Sequence, residues 1–397
     1  MPKDDINYSF TENGIVYDFY DVFVPAENFR QPSLWVWGSS GYGRLGTNDT
    51  SPNRTTPVTT FAGGTTWKQI SCGGNFTAAI KTDGTLWIWG RNNQGQLGID
   101  ESGTTTGRTT PVTTFTGGTN WKQVSCGDSH IAAIKTDGSL WLWGVNNTAQ
   151  LGINNTANRS TPITTFAGGT TWKSVSAGAY NTAAIKTDGS LWVWGNNDVA
   201  QLGTNDTTNR LTPITTFAGG TNWKQVSCGD SHIAAIKTDG SLWLWGYALN
   251  GRLGTNDTTP NRTTPVTTFA GGTNWKQVSC GGQLTAAIKT DGTLWTWGVG
   301  NDGRLGTNST ASSNTPVTTF TGGTNWKQVD GGGNHTAAIK TDGTLWTWGR
   351  NIDAGQLGEN SDKNRSIPVT TFAGGNNWKS ASAGNIFTTA IQYNPDP

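Results

Sequence analysis

Three histidines, four cysteines, one glycine fingerprint and two spaced sets of cations are the residues of this chain that could do chemistry. His130, His232 and His335 are of the type used for general acid–base catalysis or metal ligation. All three stand at one position of a repeating pattern, where other copies carry Phe76, Tyr180, Leu284 and Phe387. A slot that accepts Phe, Tyr, Leu or His reads as a packing position near a strand start. Cys72, Cys126, Cys228 and Cys280 could bind zinc or form disulfides, but each comes from a different copy and no Cys-x-x-Cys spacing exists. The remaining copies read as Ala177, Asp330 and Ala383 at that position, and Cys/Ala interchange marks a small buried slot. Gly41-Tyr42-Gly43-Arg44-Leu45-Gly46 spells the dinucleotide fingerprint, yet it opens no helix and lies in no βαβ unit. It reads as a variant of the turn Gly95-Gln96-Leu97-Gly98.

The cations recur as regularly. Arg54, Arg108, Arg159, Arg210, Arg262 and Arg365 stand three residues before a proline, with Ser313 replacing the arginine once. Lys81, Lys135, Lys186, Lys237, Lys289 and Lys340 precede Thr-Asp-Gly. Each set makes a ring that could grip an anionic partner or simply solubilise a Thr/Asn-rich surface. The chain as a whole has net charge +1, 13% charged residues and no long charge run, so a general nucleic-acid footprint is unsupported. No window is long and apolar enough for a membrane span, and the first residues lack the apolar stretch of a secretory signal.

The elements that must position these residues come from one segment repeated seven times. Leu-Trp-x-Trp-Gly begins at Leu34, Leu86, Leu140, Leu191, Leu242, Leu294 and Leu345, a period of 51 to 54 residues. Its tryptophans are Trp35, Trp37, Trp87, Trp89, Trp141, Trp143, Trp192, Trp194, Trp243, Trp245, Trp295, Trp297, Trp346 and Trp348. A third, before lysine, is Trp67, Trp121, Trp172, Trp223, Trp275, Trp326 or Trp378. All 21 tryptophans of the chain are thereby accounted for, and they are expected to supply most of its apolar core.

Within one copy, Trp67–Gly73, Thr77–Thr82 and Thr85–Gly90 are of strand length, and Pro111–Phe115 reads as a fourth, outer strand that tolerates its proline. Asp83-Gly84, recurring at Asp137, Asp188, Asp239, Asp291 and Asp342, reads as a type I′ hairpin turn. Four strands per unit without helical periodicity predict a β-propeller blade. The termini are complementary: the last copy lacks the Leu-Trp-x-Trp strand and the first lacks the strand before it. The expectation is an all-β, seven-bladed propeller of four-stranded blades, closed by two strands from each end. Residues 33–393 would form it, after a leader of residues 1–32 and before a tail of 394–397.

Leu86 to Gly98, then Thr-Pro-Val, Trp-x-x-Val-Ser-x-Gly and Ala-Ala-Ile-Lys-Thr-Asp-Gly, resembles the repeat named for the regulator of chromosome condensation. The match covers about nine tenths of the chain, and the resemblance implies a seven-bladed propeller. The founding member is a nucleotide exchange factor for a small GTPase that docks on nucleosomes through an inserted wedge and an extra tail. This chain has no long insertion, and its leader is acidic where a chromatin-binding tail would be basic. Other relatives use the propeller as an interaction platform.

The leader carries Tyr8, Phe10, Tyr17, Phe19, Tyr20, Phe23 and Phe29 with six acidic and two basic residues, net −4. Asn13-Gly14 suggests a hairpin, and the aromatics need a surface to bury against: the propeller itself or a partner. The stretch Asp21-Val-Phe-Val-Pro25…Phe29…Leu34-Trp resembles predicted virion proteins of tailed bacteriophages, particularly marine ones. Gly117–Gly144 and Gly219–Gly246 are identical over 28 residues, which argues against an asymmetric catalytic site. Variation concentrates after each Trp-Gly, in Arg91–Thr106, Val145–Asn158, Tyr247–Pro260 and Arg350–Asn364.

The sequence is therefore read as a non-enzymatic module without cofactor or metal. It would be displayed on a larger assembly, a virion, with protein subunits bound through the leader and a host protein or glycan through the variable loops. A cytoplasmic location and a bacterial interaction scaffold are the alternative, and an enzyme or exchange factor using one propeller face the third.

Overall fold

Strand propensity and turn chemistry act locally in each copy, and the outcome is regular. A computed structural model describes residues 9–12, 15–18, 32–64, 66–352 and 354–393. Each blade is a four-stranded antiparallel meander, for example Trp67–Cys72, Phe76–Lys81, Leu86–Asn92 and Thr104–Thr113, hydrogen-bonded in that order. Seven such sheets form, and one of them joins Trp378–Ala383 and Phe387–Tyr393 to Pro32–Gly38 and Arg54–Thr59. Chain ends thus share a blade, two strands each. Pro32–Gly38 pairs with Phe387–Tyr393 without a register break, from Pro32↔Tyr393 to Gly38↔Phe387.

The Asp-Gly connection differs from the type I′ expectation. Only the glycine is left-handed: Gly84 has φ +82°, and Asp83 does not share that conformation. The Gly84 amide donates to Lys81 O at 3.0 Å, and Asp83 accepts from the Thr85 amide at 2.9 Å and its hydroxyl at 2.7 Å. This is the longer hairpin loop with a glycine bulge, which needs positive φ at one residue only. The outer strand also starts earlier than its proline; Pro57 is the fourth residue of Arg54–Thr59.

The core lies between blades. The aliphatic face of one blade (Ile80, Leu86, Ile88) packs on the tryptophan face of the next (Trp121, Trp141, Trp143). The pattern continues round to Leu34, Val36 and Ile391 against Trp67 and Trp89. Within a blade the three tryptophans meet edge to face, Trp67 against Trp87 at 6.5 Å and Trp89 at 6.3 Å, the geometry favoured by ring quadrupoles. The first tryptophan of each Leu-Trp-x-Trp is half-buried and the other two are buried. In six copies the second donates its indole N–H to a loop carbonyl of the preceding blade, as Trp89 does to Arg44 O at 2.9 Å. The glycine after each loop leucine gives that indole room: a Cβ on Gly98 would lie 2.7 Å from Trp143 Nε1.

Ser9–Glu12 and Ile15–Asp18 of the leader pair antiparallel, placing Phe10 opposite Tyr17. Tyr8, Asn13, Gly14, Phe19, Tyr20, Phe23, Phe29 and the tail 394–397 lie outside the described residues.

Candidate functional site

Strands that alternate in direction put every connection of one kind on one face. The turns between first and second strands and the long loops between third and fourth emerge together on a loop face. The Asp-Gly hairpins and blade-to-blade connectors emerge on the opposite, turn face. The seven first strands line a central channel with a cavity of about 370 Å³.

Channel-lining polar groups are spent on joining blades. Ser71 Oγ accepts from the Cys126 amide at 2.9 Å, and the same serine bond occurs at six junctions, at 2.9–3.1 Å, with the Asp330 carboxylate as acceptor at the seventh. In five blades a glutamine amide clasps the next strand, as Gln123 Nε2 does on Val175 O at 3.0 Å while its Oε1 accepts from the Val175 amide at 3.2 Å. The register corrects one sequence assignment here. Asp330 pairs with Ala337 as Ser71 pairs with Ala78, so Asp330 occupies the serine row; Gly331, opposite Thr336, holds the cysteine slot. Asp330 accepts from the Ala383 amide and the Ser279 hydroxyl, both at 2.9 Å, and burial pushes its carboxyl pKa up. The four cysteines are buried free thiols. Burial pushes Cys72 and Cys280 up to about 12, which removes the thiolate that reactivity requires.

The histidine row is corrected too. Asn181, opposite Gly195 as His130 is opposite Gly144, belongs to it, and Tyr180 is an exposed loop residue. Each histidine is buried with Nε2 2.7–2.9 Å from a threonine hydroxyl of the next blade: Thr182, Thr285 and Thr388. Each threonine hydroxyl donates to a loop carbonyl at 2.8 Å, so the imidazole Nε2 is the donor. Burial lowers their pKa to about 3. These are inter-blade struts.

Five of the six ring arginines and all six ring lysines are engaged; among the described residues Arg159 has no carboxylate partner. Arg54 pairs with Asp49 at 2.6 Å and Arg365 with Glu359 at 2.7 Å; Arg108, Arg210 and Arg262 pair with Glu101, Asp206 and Asp257 of their own loops. The six lysines each sit over two tryptophans of their blade, Lys186 at 4.8 Å from Trp172 and 4.1 Å from Trp192. The seventh blade has Gln392 there. On the turn face, sequence reading missed a ring of exposed aromatics, Phe61, Phe115, Phe166, Phe217, Phe269, Phe320 and Phe372, each 61–65% exposed. They close the outer strand, so their pattern reads as strand core.

The loops are of two kinds, a distinction the sequence carried as an unread correlation. In four blades a buried asparagine (Asn92, Asn146, Asn197, Asn351) accepts from the amide of the loop leucine, and the residue before that leucine is glutamine. In the other three the asparagine is Ser40, Ala248 or Gly300, and the glutamine is Arg44, Arg252 or Arg304. There the fingerprint-like segment forms a single 3₁₀ turn, pinned by the arginine Nε donating three residues back, to Gly41, Leu249 or Asn301 O at 2.8–3.1 Å.

Residues 30–319 match the RCC1-like domain, and 326–356 and 342–391 match the regulator of chromosome condensation (RCC1) repeat. The chain belongs to the RCC1-like family. It is 31% identical over 338 residues to the ultraviolet-B receptor UVR8 of Arabidopsis thaliana, covering 84% of this chain and 76% of that one. It is 27% identical to the human E3 ubiquitin-protein ligase HERC2 over 82% of this chain, but spans only 7% of that protein. Among solved structures, human WBSCR16 superposes with TM-score 0.79 at 21% identity, covering 91% of this chain and 99% of that one. Prp20p of Saccharomyces cerevisiae gives 0.80 at 16%, covering 92% of each, in a study of its binding to Gsp1p and histones. At these identities the superpositions establish the fold. The protein is an RCC1-like propeller, a fold of protein interaction.

Proposed function

We propose that this protein is a non-enzymatic interaction platform whose loop face receives a protein partner and whose leader attaches the disc to a larger assembly. One observation carries the reading. The groups that could do chemistry, the three histidines, four cysteines, the lysine ring and five of the six ring arginines, are tied into inter-blade struts, ion pairs or tryptophan stacks. What distinguishes one blade from another is the loop face. Repeat proteins bind where repeats differ.

The finer form of the proposal is a virion component of a tailed bacteriophage (a decoration, fibre or adhesin protein), with a host protein or glycan on the loops. It rests on the leader, whose acidic-aromatic run into Leu34-Trp35 resembles such proteins. The relatives named above are eukaryotic and none is a virion protein. An intracellular scaffold uses the same loop face without the particle.

Photo-crosslinking in the native assembly tests the platform reading. A crosslinker at Tyr42 or Ile352 should capture a partner and one at Phe115 or Phe217 should not; capture from the turn face alone refutes it. For the leader, deletion of Met1–Phe29 should leave a soluble propeller that no longer enters its parent particle, read by mass spectrometry of purified particles. Normal incorporation refutes the anchoring role.

A further inference from the structure

Two blade junctions on the loop face bring a pair of arginines together, and they differ in what lies between. At one, Arg304 is buried in its 3₁₀ turn and Arg350 comes from the next blade's loop. Asp302 stands between them, its Oδ2 3.2 Å from Arg304 and 3.7 Å from Arg350. At the other, Arg44 and Arg91 hold the equivalent positions, and the residue equivalent to Asp302 is Tyr42. Both guanidinium groups face its ring, Arg44 at 5.6 Å and Arg91 at 4.9 Å from the centroid. Among the described residues no carboxylate pairs with either arginine.

Three features set this second junction apart. Arg44 is only 3% exposed, yet among the described residues its Nη1 has no hydrogen-bond partner, a costly state for a buried cation. Burial and the neighbouring Arg91 both lower its pKa, to about 10, with Tyr42 opposing. Tyr42 is held at φ +59°, a left-handed conformation costly for a bulky side chain, while 39% exposed. At the sister junction the Asp302 carboxylate lies between both arginines, on Arg304 Nη2 and Arg350 Nη1, while Arg304 Nη1 reaches the Gly333 carbonyl at 3.4 Å.

We propose that Arg44, Arg91 and Tyr42 form a receptor for a carboxylate side chain of an acidic segment on a partner protein. The incoming carboxylate accepts from Arg44 Nη1, whose counterpart in Arg304 reaches a backbone carbonyl, and from the Arg91 guanidinium, and it supplies the negative charge that Asp302 supplies at the sister junction. The inference rests on the loop face being the partner-binding face.

The probe is fluorescein-labelled hexaglutamate, titrated into the full chain at low salt and followed by anisotropy. Wild type should bind saturably and more weakly as salt rises. Arg91→Gln removes one donor and should weaken binding about tenfold, the loss of roughly one charge-assisted hydrogen bond. Tyr42→Asp rebuilds the Asp302 arrangement, should abolish binding, and should melt at or above wild type because Asp tolerates the left-handed conformation better. Arg350→Gln, the same charge change at the filled junction, should leave affinity unchanged. Absence of wild-type binding overturns the proposal, including the case in which the chain's own acidic leader fills the cleft. Equal weakening by Arg350→Gln, or displacement by inorganic phosphate as readily as by peptide, overturns it as well. Each of these failures leaves the loop-face reading to be judged by the crosslinking.

Discussion

Removing residues 387–397 deletes the strand that joins the two ends of the chain, and the structure sets the size of the effect. Phe387–Tyr393 lies inside its sheet, paired on one side with Trp378–Ala383 and on the other with Pro32–Gly38. Phe387 and Ile391 are fully buried, part of the cluster with Leu34, Trp67 and Trp89. Truncating a buried Phe costs about 3–5 kcal/mol and a buried Ile about 2–5 kcal/mol. Those two side chains alone approach the ~5–15 kcal/mol that holds an ordinary domain together. The deletion adds two exposed strand edges, which invite pairing between molecules. Insoluble or grossly destabilised protein is expected, read by soluble yield and size-exclusion chromatography. Phe387→Ala gives a graded check. A loss of about 4 kcal/mol against an unfolding entropy of ~2.1 cal/mol/K per residue, over about 360 residues melting as one unit, lowers Tm by roughly 5 °C. A deletion variant that stays monomeric with an unchanged Tm would refute closure by shared strands.

The histidines predict an acid limb. Their folded pKa, about 3, lies below the ordinary 6.5, so between those values the unfolded chain binds protons the folded chain does not, and stability falls as pH drops through that window. Each contributes about 1.4 kcal/mol per pH unit, roughly 4 kcal/mol for the three. Replacing all three with Phe, already present at Phe76 and Phe387, should flatten denaturation curves between pH 6 and 4; an unchanged slope would contradict the buried neutral assignment. Cys→Ala at Cys72, Cys126, Cys228 and Cys280 should leave the fold intact with only a small drop in melting temperature, because Ala177 and Ala383 fill the same slot; loss of a bound metal or a collapse in melting would overturn that.

Much of the fold was legible because blade formation is local. Period, strand alternation and the Asp-Gly punctuation repeat within every copy, and the complementary ends left closure as the arrangement that pairs all strands. The site was less legible. Matching by residue type put Asp330 in the cysteine slot and Tyr180 in the histidine row, although Asp330 follows Trp326 by four residues as Ser71 follows Trp67, and Asn181 follows Trp172 by nine as His130 follows Trp121. The pairing of Asp330 with Ala337 and of Asn181 with Gly195 agrees with that count and shifts each assignment by one residue, which in a strand reverses the face.

The sequence by itself determined that seven equal blades would form and that three tryptophans would serve each one, because those signals are carried within about fifty residues. What each polar group does was decided only by the tertiary structure, because its partner comes from elsewhere: His130 from Thr182, Cys126's amide from Ser71, Trp89's indole from the carbonyl of Arg44. The same holds for the two arginine pairs. Nothing in the spacing of Arg304 and Arg350 differs in kind from that of Arg44 and Arg91. Only the convergence of adjacent loops shows that one pair encloses a carboxylate and the other a tyrosine, with a buried donor that has no acceptor among the described residues.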